Sequence, residues 1–186
     1  PFFITAIDDT IIDIKEDKND IVLGIAIDIG TTTIVLYLID LESGKTIDTY
    51  SIYNPQKKFG ADVISRINFT IENKDGRKKL KDNLIEGINK GINNLIKRNN
   101  IDNSDIYQTT IAGNTVMLHT LLGMKTKTIA ESPYIPLFTN LLELHPEEIG
   151  ININRNGIIE LLPSISGYIG ADIVADMIAV DLKNRL

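Results

Sequence analysis

The chain has 186 residues, 43% hydrophobic and 24% charged, the balance of a globular protein with enough apolar mass for a sizeable core. Its 19 Lys and Arg against 25 Asp and Glu leave a net charge of −6, which speaks against general nucleic-acid binding. The absence of cysteine excludes disulfides, thiol catalysis and any cysteine-ligated iron–sulfur or zinc site in the chain, and fits a cytoplasmic protein.

Residues 1–20 read as a short alternating segment and then a charged run from Lys15 to Asp20, a solvated linker from a preceding element. The chain opens on Pro1 with no signal peptide, so a fragment of something longer is expected. Ile21–Ile27 is apolar enough for a buried strand, Thr33–Asp40 forms a second, and Thr46–Tyr53 alternates as a third. Gly44 supplies the turn between the last two. These three strands predict an antiparallel meander. Asp28 and Asp40 interrupt the longest apolar stretches, so no membrane-spanning helix is expected.

Asn54-Pro55-Gln56 breaks the pattern, because Pro55 lacks an N–H and disfavours helix at Asn54. Helices follow over Gly60–Glu72 and Arg77–Arg98. The second carries Leu80, Leu84, Ile85, Ile88, Ile92, Leu95 and Ile96 at helical spacing, with Gly87 and Gly91 weakening it. A short strand lies within Ser104–Ala112, and Gly113-Asn114 opens a helix over Thr115–Leu122. Lys125–Gly157, with three prolines, predicts a long irregular loop. Ile158–Leu162 is a strand, Ser164–Gly170 a turn, and Ala171–Leu186 a helix with Ile173, Val174, Met177 and Ile178 on one face.

The turn after the first strand concentrates chemistry. Asp28 offers a hard oxygen for Mg²⁺, directly or through water. Gly30 permits close backbone approach, and Thr31, Thr32 and Thr33 add hydroxyls beside backbone N–H donors suited to phosphate. The same residues also serve a plain hairpin, where Asp-x-Gly makes the turn and threonine favours the strand. Gly113, Asn114 and Thr115 stand at a strand-to-helix junction, where N–H groups can meet an anion or Asn114 can act as a simple N-cap. Asp62 and Arg66, four apart on one helix, predict a local ion pair. His119 and His145 have no partner at ligand spacing, so a metal site there is not expected.

Three antiparallel strands followed by alternating helices and strands predict an α/β fold: a ribonuclease-H-like mixed sheet with helices on both faces, one lobe of an actin-like ATPase. Asp28 then sits at a strand end where connections diverge, a place where such sheets bind ligands.

Asp28-Ile29-Gly30-Thr31-Thr32-Thr33 resembles the first phosphate motif of the actin, sugar-kinase and heat-shock-chaperone ATPases. Three further segments resemble the ATPase domain of reductive activators of corrinoid proteins (RACo-like proteins). They are Asn54-Pro55-Gln56 through Phe59–Ile67, then Ala112–Met117, then Leu162–Ala175. The resemblance implies ATP and Mg²⁺ as cofactors of the full-length protein, and a corrinoid protein as partner. It implies electron transfer that returns Co(II) corrinoid to Co(I), with an iron–sulfur domain lying outside this cysteine-free chain. Residues 21–186 then form the first ribonuclease-H-like subdomain, the second being absent together with its own Asp-x-Gly motif. Such a half is expected to be inactive alone. By the same resemblance Asp28 is the metal-water ligand and Gly30 through Thr33 donate to phosphate. Gln56 borders the site and orients a water or substrate, unless it is a surface loop residue. Gly113, Asn114 and Thr115 join the site, and Gly167, Gly170 and Asp172 act near a hinge, unless they are turn and cap.

Two other functions are compatible with the motif: an actin-like ATP-binding scaffold that assembles, or a ribonuclease-H-like metal-dependent nuclease, although the strand ending at Ala112 leads into no acid. Half of a two-lobed ATPase should expose apolar surface, so self-association through the inter-lobe face is expected.

Overall fold

A computed structural model describes residues 2–7, 9–16 and 21–181. Its main sheet has six strands: β3 (Leu23–Ile29), β4 (Thr33–Asp40), β5 (Lys45–Tyr53), β6 (Ile106–Gly113), β7 (Leu142–Leu144) and β8 (Ile158–Leu161). Their order is β5-β4-β3-β6-β8-β7. The meander β3-β4-β5 is antiparallel, β6 and β8 run parallel to β3, and β7 adds an antiparallel edge. This is the ribonuclease-H-like mixed sheet read from the element order, with one extra edge strand.

Alternation sets the faces. Leu23, Ile25, Ile27 and Ile29 of β3 are at most 2% exposed and point to one side with Ile34, Leu36 and Leu38 of β4. Gly24, Ala26 and Asp28 point to the other. The buried side is covered by α2 (Gly76–Asn99), which packs on β4 and β5, and α1 (Val63–Glu72) packs against α2. Leu80, Leu84, Ile88, Ile92 and Leu95 form the fully buried stripe of α2. The two glycines of α2 are what let it lie close: a Cβ on Gly91 would stand 2.7 Å from Leu36, and one on Gly87 would stand 2.9 Å from Pro55. They cost helix propensity and give packing in return.

The segment before Ile21 is more than a linker. It holds a hairpin of β1 (Phe3–Ile7) and β2 (Thr10–Lys15). Tyr107 Oη donates to Asp13 at 2.6 Å, and Asn156 Nδ2 donates to the Ile12 carbonyl at 3.1 Å, tying the hairpin to the main body. Most of the charged run, residues 17–20, lies outside the described residues.

The stretch expected to be irregular is also ordered. It contains α4 (Lys127–Ala130), β7 and α5 (Pro146–Ile149), elements of three or four residues that no periodicity can signal. It is pinned to α3 (Thr115–Leu121), every residue of which is buried. The backbone N–H of Leu137 donates to His119 Nε2 at 2.9 Å, and the imidazole stacks on Phe138 at 4.5 Å.

The last helix, α6 (Ala171–Ala179), ends earlier than its apolar pattern predicts, and residues 182–186 lie outside the described part. Only Ala171 is fully buried. Ile173, Met177 and Ile178 are exposed, so among the described residues nothing covers its apolar face. Among the described residues no helix is long and apolar enough to cross a membrane.

Candidate functional site

β3 and β4 are joined by the turn Gly30–Thr33. The Gly30 N–H donates to the Thr33 carbonyl at 3.0 Å and closes it. A side chain at position 30 would place Cβ 2.6 Å from that same carbonyl oxygen, so only glycine fits. Three successive carbonyls of this turn are held by donors from elsewhere in the chain. Gly30 O accepts from Asn54 Nδ2 at 2.9 Å, Thr31 O from Arg66 Nη2 at 2.6 Å, and Thr32 O from the Asn54 backbone N–H at 2.8 Å. In a planar trans peptide the C=O and the following N–H point in opposite directions. Drawing these carbonyls inward therefore turns the following amides outward. The N–H groups of Thr31 and Thr32 meet no acceptor among the described residues. Two adjacent free amides on a fixed turn make a concavity for an anion.

The supports of the turn are internal. Asn54 is 1% exposed, extended as its following proline requires, and its side-chain oxygen accepts from Gln56 N–H at 3.0 Å. Arg66 on α1 is 1% exposed. Besides Thr31 it donates from Nε to Gly60 O at 3.0 Å and from Nη1 to Gln56 Oε1 at 3.2 Å and Met117 Sδ at 3.5 Å.

Two expectations change here. Gln56 is fully enclosed: its Nε2 donates to Leu80 O at 3.1 Å while its oxygen holds Arg66. With no open surface and both ends of the amide committed, it braces Arg66 and is not placed to orient water or substrate. Asp62 does not pair with Arg66. It caps α1, accepting from Ser65 N–H at 2.8 Å, and its own N–H donates to Ser65 Oγ at 3.1 Å. The capping box occupies the carboxylate outside the helix while Arg66 turns into the fold.

Asp28, one residue before the end of β3, lies beside Ala112 of β6 on the exposed side of the sheet. Its carboxyl is held above the ordinary value of 3.8 by partial desolvation and by the charges of Asp172 and Asp176 on α6. These acids are delivered by a close crossing: a Cβ on Gly170 would stand 2.6 Å from Asn114 Cα. Gly170 itself has an ordinary φ of −82°, so close approach, not unusual torsion, accounts for it. Gly167 likewise lies against the Tyr134 carbonyl.

Gly113 pairs with Ile29 across the β3–β6 ladder. Asn114 caps α3 through Met117 N–H at 3.0 Å, and its Nδ2 donates to Thr31 Oγ1 at 3.3 Å, so it does reach the turn. Thr115 does not. It is 1% exposed, and its hydroxyl donates to Ser166 O at 2.7 Å, fastening the loop before α6. Beside Asn114 lies an apolar cleft of about 300 Å³ lined by Ile64, Ile67, Ile129 and Tyr168 among others.

The donor set fits a phosphate with its magnesium. The free amides of Thr31 and Thr32 suit phosphate oxygens, the Thr32 hydroxyl stands exposed beside them, and the mutual repulsion of Asp28, Asp172 and Asp176 is what a divalent cation relieves. Among the described residues no three acidic or histidine side chains converge as a metal cage. A cation here would complete its shell with water and phosphate oxygen, as Mg²⁺ commonly does. An iron–sulfur cluster does not fit, since the chain supplies no thiolate.

The family model described as "RACo middle region" matches residues 23–185. The chain belongs to that family. The corrinoid activation enzyme RamQ of Eubacterium limosum is 34% identical over 174 residues, covering 92% of this chain and 29% of that protein. Among solved structures, a reductive activator for corrinoid, iron–sulfur protein superposes with a TM-score of 0.89 at 37% identity, covering 94% of this chain and 28% of that one. The RACo middle region seen here thus spans under a third of the length of these relatives. Their likeness fixes the fold of this region, with the turn at Gly30–Thr33 at the end of its central strand.

Asn54 and Arg66 are the site residues that spacing does not reveal. Asn54-Pro55-Gln56 stands out in the sequence because of its proline, yet the residue that touches the turn is Asn54.

Proposed function

We propose that residues 21–186 form the first ribonuclease-H-like subdomain of an ATP-dependent reductive activator of a corrinoid protein. The single observation that carries this reading is the turn itself: three carbonyls drawn inward and the Thr31 and Thr32 amides left free beside Asp28. The family and its two corrinoid-linked relatives support the choice of partner.

In this reading Thr31 and Thr32 bind terminal phosphate oxygens, with Gly30 permitting the approach and Thr33 closing the turn. Asp28 holds the water shell of Mg²⁺, and Asn114 fixes the Thr31 hydroxyl. Bound there, ATP would supply the free energy of hydrolysis of its terminal phosphoanhydride by water, to ADP and phosphate, for an electron transfer that is otherwise uphill. The corrinoid is substrate: one electron, delivered from an iron–sulfur domain outside this chain, converts Co(II) to Co(I). The second half of the phosphate clamp also lies outside, so this region alone is inactive. The uncovered apolar side chains of α6 suit packing against that half, and in its absence self-association. The reading places the protein in the cytoplasm.

The test uses the encoded full-length polypeptide with a Co(II) corrinoid protein, a reductant and Mg-ATP, following cobalt by its visible spectrum. Reduction to Co(I) that requires ATP and is lost in Asp28→Ala is the expected result. Reduction that proceeds equally without ATP, or unchanged in Asp28→Ala, would overturn the reading.

A further inference from the structure

We propose that Arg66 is a positioning residue for the phosphate-binding turn: from inside the fold it draws the Thr31 carbonyl inward and sets a buried positive charge behind the outward amides. This inference rests on the reading of that turn as a phosphate site.

A guanidinium removed from water normally sits against a carboxylate, because an unpaired buried charge is costly. Arg66 is 1% exposed, and every acceptor it reaches is neutral: Thr31 O, Gly60 O, Gln56 Oε1 and Met117 Sδ. Asp62 acts on it only at a distance, its carboxylate being held by the cap of α1. The charge is therefore not consumed inside the fold. It stands one peptide behind the place where an anion would meet the Thr31 and Thr32 amides.

The geometry is selective for arginine. Its shortest bond, 2.6 Å, goes to Thr31 O, and the other nitrogens of the fork are held by Gly60 and Gln56. Gln56 is in turn anchored to α2 through Leu80 O. A single ammonium cannot span these acceptors at once, so lysine would keep the charge and lose the grip. An arriving phosphate gains from the charge across a poorly screened interior. The fold tolerates the charge because Nε, Nη1 and Nη2 each meet an acceptor.

The experiment compares ATP with AMP, which shares the nucleoside and lacks the terminal phosphates, on the encoded full-length polypeptide by calorimetry. For Arg66→Met, ATP affinity is expected to fall about tenfold or more, with AMP affinity nearly unchanged. For Arg66→Lys the loss for ATP is expected to be intermediate. A scaffold role alone would weaken both nucleotides alike, and that result overturns the proposal. So does ATP binding by Arg66→Met within about twofold of wild type. If Arg66→Met shows no cooperative melt, Arg66→Lys decides: selective loss of ATP supports the proposal, and wild-type binding overturns it. Failure of the wild type to bind ATP overturns the phosphate-site reading and this inference together, whereas wild-type binding with unaffected variants overturns the inference alone.

Discussion

Asn54 holds Gly30 from 24 residues away, its Nδ2 donating to the Gly30 carbonyl at 2.9 Å while its own backbone N–H donates to Thr32 O. One buried asparagine thus sets the direction of two peptides in the turn. Asn54→Ala removes the side-chain bond to Gly30 and the cap on Gln56 N–H, leaving buried groups unpaired. A loss of about 2 kcal/mol in denaturant unfolding is expected. Hydrogen exchange at Gly30, whose N–H closes the turn, should accelerate in the same variant.

Asp28 is a cost to the folded chain that the proposed ligand repays. An unfolded Asp28 loses its proton near 3.8, and the folded one at higher pH. As pH rises through that window, the folded state must give up a proton it holds more tightly. Stability falls there and stays lower at every higher pH. Asp28→Asn should therefore melt above wild type at pH 7, with the difference vanishing below the unfolded value. An equal or lower melting temperature at pH 7 would contradict this electrostatic picture.

His119 behaves in the opposite sense. Its Nε2 accepts from Leu137 N–H, so the proton sits on Nδ1, facing Thr115 O at 2.7 Å. Burial lowers its pKa below the ordinary 6.5. The unfolded state binds the proton first, so stability present above pH 6.5 is lost as pH falls toward the folded value. Thermal melts between pH 7.5 and pH 5.5 should show this decline, and His119→Gln should flatten it.

Gly91 shows where sequence and structure part. By propensity alone Gly91→Ala should strengthen α2 by about 1 kcal/mol. The added Cβ would instead stand 2.7 Å from Leu36, and a net loss of about 1–3 kcal/mol is expected in urea unfolding. The sequence marks both helix glycines as weak points because helical pattern says nothing about what lies opposite. The main strands, the long helices and the turn at Asp28 were legible, since each is written in local periodicity or composition. β7 and α5 were not, being too short to show a period. The roles of Gln56, Arg66 and Thr115 cannot be read from local spacing, because their partners, Leu80, Thr31 and Ser166, lie 24, 35 and 51 residues away.

Exposed Ile165, Ile173 and Ile178 should make residues 1–186 self-associate when expressed by themselves. Light scattering across a concentration series should show a rising mass, reduced by Ile178→Glu. A monomer at every concentration would contradict it.

The phosphate turn is tested most directly by calorimetric titration of Mg-ATP into the encoded full-length polypeptide, wild type beside Asp28→Ala. Binding that requires Mg²⁺ and weakens about tenfold or more in Asp28→Ala is expected. Binding of equal strength in the two proteins, or no binding by the wild type, would contradict the assignment of Asp28 and the Thr31–Thr32 amides to nucleotide phosphate.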